Sequence, residues 1–251
     1  MGKIVILGSA NAVPDENHAN THLLIQEGSR AILVDCPENP IVKLRQIGLT
    51  LDCLTDIILT HFHPDHVSGV PLLLMDLWLS GRRLPITIHG LTDTLDRMES
   101  MMNLYNWESW PGFFQVYFHR LQGEANSTLL QDDDFVITAS PVKHLIPTVG
   151  IRIDFKRSGK VMVYSSDTEP CQNVVDLAHE ADILIHESAG LLTGHSTPGQ
   201  GGEVAQQAGV KTLYLIHYPT DAEPEKWIGN ASQIFINPVF LAVDDLEIEM
   251  D

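Results

Sequence analysis

The chain lacks cysteine pairs and long apolar runs, and each absence excludes a class of protein. Its three cysteines, Cys36, Cys53 and Cys171, are odd in number and far apart. They predict neither a disulfide framework nor a Cys-x-x-Cys metal site. No apolar run approaches the roughly 18 residues that a membrane-spanning helix needs. We therefore expect a protein of the reducing cytoplasm with no membrane partner.

Basic residues are also scarce. The chain has 15 Lys and Arg against 33 Asp and Glu, which gives a formal net charge of −18. A field of that sign repels polyanions such as nucleic acid. One denser basic group, which includes Lys156 and Arg157, surrounds a Ser-Gly turn signal. A solvated hairpin tip is the favoured interpretation of this group, and contact with nucleic acid stays open.

Internal repeats and low-complexity linkers are absent as well. No period of about 20 to 50 residues divides the 251 residues, and a hydrophobic content of 44% is ample for a core. We predict a single domain over residues 1–251. Apolar runs of strand length alternate with segments of helical spacing, which is typical of a layered α/β domain.

Histidine, in contrast, is concentrated at one point of the chain. The heptapeptide T-H-F-H-P-D-H (residues 60–66) follows a short apolar run, which predicts a buried strand. Along an extended chain, a period of two directs His61, His63 and Asp65 to one side, and His66 follows at a turn. Imidazole and carboxylate are ligands for zinc and related divalent ions. The cluster therefore predicts a metal site.

Several later strands are also predicted to end on residues that could bind a metal, and a layered α/β domain would gather such ends on one face. Two metal ions with one bridging water need about seven or eight ligand atoms. A bridging hydroxide would then be the nucleophile at neutral pH, because the metals lower the pKa of water. The chain offers a set of seven ligands: His61, His63, Asp65, His66, His144, Asp167 and His217.

Two further residues near strand ends have open interpretations. Asp35 ends the strand predicted over residues 30–35, and it is either a partner of a metal ligand or a plain turn residue. His89 lies beside Gly90 with no partner nearby in sequence, which favours a strand-end histidine over a ligand.

The motif at residues 61–66, with the distant His144, Asp167 and His217, resembles the metallo-β-lactamase superfamily over nearly the whole chain. Three further motifs resemble its tRNase Z (ribonuclease Z) branch, the tRNA 3′-processing endonucleases. They are L-G-S-A-N-A-V-P at 7–14, H-E-S-A at 186–189 and G-H-S-T at 194–197. The resemblance implies an α/β fold, a four-layer αβ/βα sandwich of the metallo-β-lactamase type.

The resemblance also implies roles for individual residues. Asp65, His195 and Glu187 would be catalytic, with His195 oriented by Glu187 as a general acid or a phosphate contact. Two zinc ions are the implied cofactors, with Mn²⁺ or Fe²⁺ as alternatives. His61, His63 and His144 would bind one ion, Asp65, His66 and His217 the other, and Asp167 would bridge them.

Two departures from the branch argue against tRNA as the partner. The loop after the opening proline, which is usually basic in the branch, reads D-E-N-H at 15–18. The arm with which the branch grips tRNA would fall between His144 and Asp167, where the sequence predicts only a tight hairpin.

We therefore expect a zinc-dependent hydrolase with phosphodiesterase-type activity on a small or nucleotide-like ester. A tRNA 3′-processing endonuclease and a metal-binding scaffold without turnover are the alternatives. The resemblance also allows a homodimer.

Overall fold

The computed structural model describes residues 2–251, whose strands form two seven-stranded sheets. The first sheet contains β1 (Gly2–Gly8), β2 (His22–Glu27), β3 (Arg30–Val34), β4 (Leu54–Ile58), β5 (Ile86–Leu91), β6 (Val116–Leu121) and β14 (Glu247–Glu249). Its spatial order is β14-β1-β2-β3-β4-β5-β6. The second sheet contains β7 (Ser127–Gln131), β8 (Phe135–Val142), β9 (Thr148–Phe155), β10 (Val161–Tyr164), β11 (Ile183–Glu187), β12 (Thr212–Ile216) and β13 (Val239–Leu241), in the order β13-β12-β11-β10-β9-β8-β7.

Helices cover the outer face of each sheet. The α-helices are α1 (Ile41–Gln46), α2 (Pro64–Val67), α3 (Val70–Leu79), α4 (Thr92–Leu104), α5 (Gln172–Leu177), α6 (Pro198–Ala208) and α7 (Pro224–Ser232). None of the helices within residues 2–251 is both long and apolar enough to cross a bilayer.

Alternating side chains of the strands build three apolar layers. In β1, Ile4 and Ile6 face the second sheet, whereas Val5 and Leu7 pack on the helical side. A strand with both faces covered reads as a continuous apolar run. One apolar cluster joins the two sheets, and the other two join each sheet to its helices. The predicted four-layer αβ/βα sandwich is confirmed.

The parallel strands bring distant parts of the sequence to one edge. β3 pairs in parallel with β4, and β10, β11 and β12 pair in parallel with one another. Parallel strands end at the same edge of a sheet, so the residues that follow them become neighbours. Asp35, His61, Asp167 and His217 all lie just beyond these carboxyl ends.

The chain around the histidine cluster differs from the prediction in one respect. β4 ends at Ile58, so His61 and His63 lie in a loop, and Asp65 lies on the one-turn helix α2. The predicted extended chain through Asp65 is therefore wrong. Pro64 is the reason, because its fixed φ and missing N–H suit the first position of a helix.

Candidate metal centre

The structure brings all seven predicted ligands to the edge where the parallel strands end. They fall into two groups, and the ligand atoms within each group lie within 4.8 Å of one another. The first group is His61, His63, His144 and Asp167, and the second is Asp65, His66 and His217.

Asp167 lies between the two groups. Its Oδ2 atom is 3.3 Å from His217 Nε2 and 3.5 Å from His66 Nε2. The same oxygen is 3.8 Å from His61 Nε2 and 3.9 Å from His144 Nε2. One carboxylate oxygen therefore faces imidazoles of both groups, as a bridging ligand would.

The spacing of the first group suits a shared cation. His61 Nε2 lies 3.0 Å from His63 Nδ1, and His144 Nε2 lies 3.2 Å from the same atom. Two nitrogens bound to one zinc ion at its usual distance, with an angle near 90 to 110°, are about 2.9 to 3.4 Å apart. His63 thus has the spacing of a fellow ligand to one ion with both His61 and His144.

Asp35 orients two of these imidazoles, His66 by a direct hydrogen bond and His61 through Thr60. His66 Nδ1–H donates to Asp35 Oδ2 at 2.8 Å. Thr60 donates to the same carboxylate through its backbone N–H at 2.8 Å and through its hydroxyl at 2.9 Å. The Thr60 hydroxyl in turn lies 3.0 Å from His61 Nδ1. Such contacts fix ring orientation and leave the Nε2 atoms free to bind a metal.

The other two anchored imidazoles are His144 and His217. His144 Nδ1–H donates to the Gly194 carbonyl at 2.7 Å, and His217 Nδ1 lies 3.2 Å from the Thr21 hydroxyl. A Cβ atom at Gly194 would lie 3.0 Å from His144 Nδ1, and its φ is +83°. Both facts favour glycine at this position.

The electrostatics of the centre favour a cation. Burial and the neighbouring His66 hold the pKa of His61 well below its ordinary value, which keeps this imidazole neutral, the form that binds metal. Burial acts to lower the pKa of His66, but Asp167 and Asp35 outweigh it and raise that pKa well above its ordinary value. Positive charge is therefore stabilised next to His66 Nε2.

Two buried polar atoms of the centre have no hydrogen-bond partner within residues 2–251: His66 Nε2 and Asp167 Oδ1. Unpaired buried polar atoms are costly, so they call for an explanation. A divalent ion among these ligands would engage His66 Nε2 and offset the buried carboxylate charge. The residues present therefore fit the metal that their chemistry implies.

Glu187 lies fully buried behind the ligands at the end of β11. Backbone N–H groups donate to its carboxylate from Ser196 at 2.7 Å, Ala189 at 2.8 Å and Thr168 at 3.2 Å. His195 Nδ1 lies 3.3 Å from Glu187 Oε1, close enough for an ion pair but without the alignment of a hydrogen bond. The structure thus brings His195 and Glu187 together.

The pKa values of both members of this pair are shifted upward. Burial raises the pKa of Glu187, but three amide donors favour its anion. Burial also acts to lower the pKa of His195, and the neighbouring Glu187 outweighs it, so the net shift of that pKa is upward. The ring of His195 stacks on His217, with centroids 5.7 Å apart, and its edge meets His144. An imidazole whose pKa is raised is therefore held beside the candidate ligands.

Comparison with known proteins identifies the family. The sequence profile described as "Anti-Pycsar protein Apyc1" matches residues 2–237. The chain belongs to this family. It is also 28% identical to a protein named Ribonuclease Z from Methanothermobacter thermautotrophicus, an alignment that covers 98% of the chain and 95% of the relative. The predicted resemblance to the tRNase Z branch is confirmed.

Solved structures agree with the fold. The metallo-β-lactamase fold protein YhfI from Bacillus subtilis superimposes with a TM-score of 0.83 at 21% identity, covering 98% of each chain. The short form of human tRNase Z superimposes with a TM-score of 0.77 at 26% identity, covering 99% of each chain. The protein is a metal-dependent hydrolase of the metallo-β-lactamase superfamily.

Sequence reasoning missed the residues that anchor the ligands. Thr60 adjoins the histidine cluster, and Thr21 follows the opening motif of the resemblance, but neither suggests a partner by itself. Gly194 opens the G-H-S-T motif, which marks the region without revealing that its carbonyl accepts from His144. Asp35, which the sequence left open, proves to be a partner of His66.

Proposed function

We propose that this family member hydrolyses a phosphodiester bond in a small or nucleotide-like ester, with two zinc ions as cofactors. One observation carries the proposal: Asp167 Oδ2 lies within 3.9 Å of imidazoles from both candidate ligand groups, and the His195 imidazole lies beside them. A protein named Ribonuclease Z acts on RNA, a phosphodiester polymer, and the full-length similarity to such proteins supports the same bond class.

Each catalytic residue would have a separate role in the reaction. Divalent ions bound in the centre would supply activation of water and neutralisation of phosphate charge. Asp65, whose side chain is 17% exposed, would accept a proton from the attacking water. His195 would donate a proton from Nε2 to the leaving oxygen, because Glu187 occupies its Nδ1 side.

The rim of the centre favours a small substrate. Between His144 and Asp167, the described chain contains only the hairpin of β9 and β10. A cavity of about 300 Å³ opens beside His195, and Leu191 and Leu192 contribute its apolar wall. That volume is at the lower end of the range for small-molecule sites, roughly 300 to 1,000 Å³. It suits one base or another compact organic group.

The test uses bis-p-nitrophenyl phosphate at neutral to mildly alkaline pH with zinc-reconstituted protein. We expect turnover by the wild-type protein and a loss of at least about 100-fold in Asp65→Ala, the usual scale for a group that transfers protons. Asp52→Ala, which removes a carboxylate with 59% exposure, is the matched control. Equal rates in wild type and Asp65→Ala would favour a scaffold without turnover.

Metal analysis tests the cofactor separately. Reconstituted protein is expected to carry two zinc ions per chain in the candidate centre. Fewer than about one ion for every two chains, from ligands built to hold two, would refute the metal centre itself. Reconstitution with Mn²⁺ or Fe²⁺ in place of zinc identifies the ion that gives the fastest turnover.

The relatives named Ribonuclease Z favour a second candidate, tRNA 3′-end cleavage. The alignment with the archaeal relative extends over 305 residues, whereas this chain has 251, so that relative contains segments that this chain lacks. Incubation with an unprocessed tRNA precursor decides the question. A cut after the acceptor stem would establish the endonuclease, and an intact precursor alongside ester turnover would exclude it.

A further inference from the structure

A second pair of imidazoles lies within the first sheet, on β5 and β6. His89 and His119 are directly opposite each other in the parallel register of these strands. Their Nδ1 atoms are 3.1 Å apart, and their rings meet at 80°. Neither residue belongs to the candidate metal centre.

Asp56 determines which nitrogen of His89 carries the proton. The His89 Nε2–H donates to Asp56 Oδ1 at 2.8 Å, and Arg30 donates to Asp56 Oδ2 at 2.7 Å. Burial acts to raise the pKa of Asp56, but these two hydrogen bonds, a third from the Thr55 hydroxyl and the charge of Arg30 outweigh it and lower the pKa to about 2. A carboxylate only accepts hydrogen bonds. In the neutral imidazole, the form that binds metal, the Nδ1 atom of His89 therefore carries a lone pair that faces His119.

The distance between the two Nδ1 atoms matches the candidate metal centre. There, paired imidazole nitrogens are 3.0 and 3.2 Å apart. A separation near 3.1 Å places both nitrogens about 2.05 Å from a shared zinc ion at an angle of about 98°. A carboxylate on the far nitrogen of a ligand histidine is the usual support of such a ligand, and Asp56 provides it for His89.

We propose that His89 and His119 form a second site for a divalent transition-metal ion, with Zn²⁺ as the ion and with Asp56 orienting His89. Imidazole is a favoured ligand of such ions. His89 is buried and His119 is exposed, so water completes the coordination on the open side. The ion ties the edge strand β6 to β5.

Equilibrium dialysis of the zinc-loaded protein against increasing free Zn²⁺, followed by metal analysis, tests the site. Wild type and His179→Ala, which removes another exposed imidazole, are expected to bind one more ion per chain than His119→Ala. The difference in zinc content between wild type and His119→Ala does not depend on how many ions the candidate centre holds. A protein that fails to hydrolyse esters could therefore still show this difference. Ester hydrolysis by His119→Ala should equal that of wild type.

One outcome of the dialysis would refute the second metal site. The same zinc content in all three proteins would mean that the His119 Nδ1–H simply donates a hydrogen bond to His89, and the site would be refuted. Because His119 is exposed, its removal is expected to leave the fold intact, which circular dichroism checks. His89→Gln provides a second variant, since it should lose the same ion.

Discussion

Asp35→Asn tests how far the metal centre depends on the residue beneath it. Asp35 accepts three hydrogen bonds, from His66 Nδ1 and from the backbone N–H and hydroxyl of Thr60. Its φ is +60°, a conformation that asparagine also tolerates. The substitution therefore keeps the shape and the backbone but turns one acceptor into a donor.

The expected size of the effect of Asp35→Asn follows from the two carboxylate oxygens, Oδ1 and Oδ2. If the amide nitrogen replaces Oδ1, it faces the Thr60 N–H, and if it replaces Oδ2, it faces the His66 Nδ1–H. Either orientation leaves a buried donor without an acceptor, which costs about 1 to 3 kcal/mol. Loss of a partner behind a metal-binding histidine lowers metal affinity about 10- to 100-fold, or about 1.4 to 2.7 kcal/mol.

The assay is titration of metal-free protein with Zn²⁺ in competition with a chromogenic chelator. We expect the binding step that involves His66 to weaken about 10- to 100-fold in Asp35→Asn. Asp52→Asn, at an exposed carboxylate, should match wild type. Binding within about twofold of wild type in Asp35→Asn, with the fold intact, would show that Asp35 does not act through His66.

Three further predictions concern leaving group, metal and pH. His195→Ala should slow the hydrolysis of an ester with a poor leaving group by about 100- to 10,000-fold, and the hydrolysis of p-nitrophenyl esters much less. Equal losses of kcat for the two kinds of ester would exclude His195 as the proton donor. Chelator-treated protein should lose ester hydrolysis and show a lower Tm, and Zn²⁺ should restore both. Asp56→Asn should cost roughly 2 kcal/mol of unfolding free energy at neutral pH, because the folded-state pKa of Asp56 is about 2 against an ordinary 3.8. That contribution is complete above the ordinary pKa and is lost as pH falls towards 2, so urea unfolding curves of variant and wild type should converge in acid.

Local signals determined how much of the fold could be predicted. The apolar runs at residues 3–8 and 148–155 predict strands by themselves, and β1 and β9 form there within a residue. No comparable apolar pattern predicts a strand at β7 or β13. β7 is an edge strand with mostly half-exposed residues, and β13 has only three residues. Edge pairing depends on the neighbouring strand more than on local pattern.

The grouping of the seven candidate ligands was predictable because four of them adjoin one another and the others follow strands. Their supports were not, because they depend on register between distant strands. Asp35 meets His66 only because β3 pairs in parallel with β4. His89, which the sequence favoured as a plain strand-end residue, meets Asp56 and His119 for the same reason.

The basic hairpin tip bears on the choice between a small ester and RNA. Arg157 pairs with Asp134 at 2.7 Å, and Lys156 donates to the Asp132 carbonyl at 2.7 Å. An acidic neighbour thus pairs with Arg157, and a backbone carbonyl accepts from Lys156, so both residues that the sequence left open for nucleic acid have partners within the chain. The tip also follows the far end of β9, whose eight residues span roughly 25 Å, while His144 precedes the near end. A basic group at that distance does not reach a phosphodiester at the metal centre, which supports the proposal that a small ester is recognised by the rim around His195.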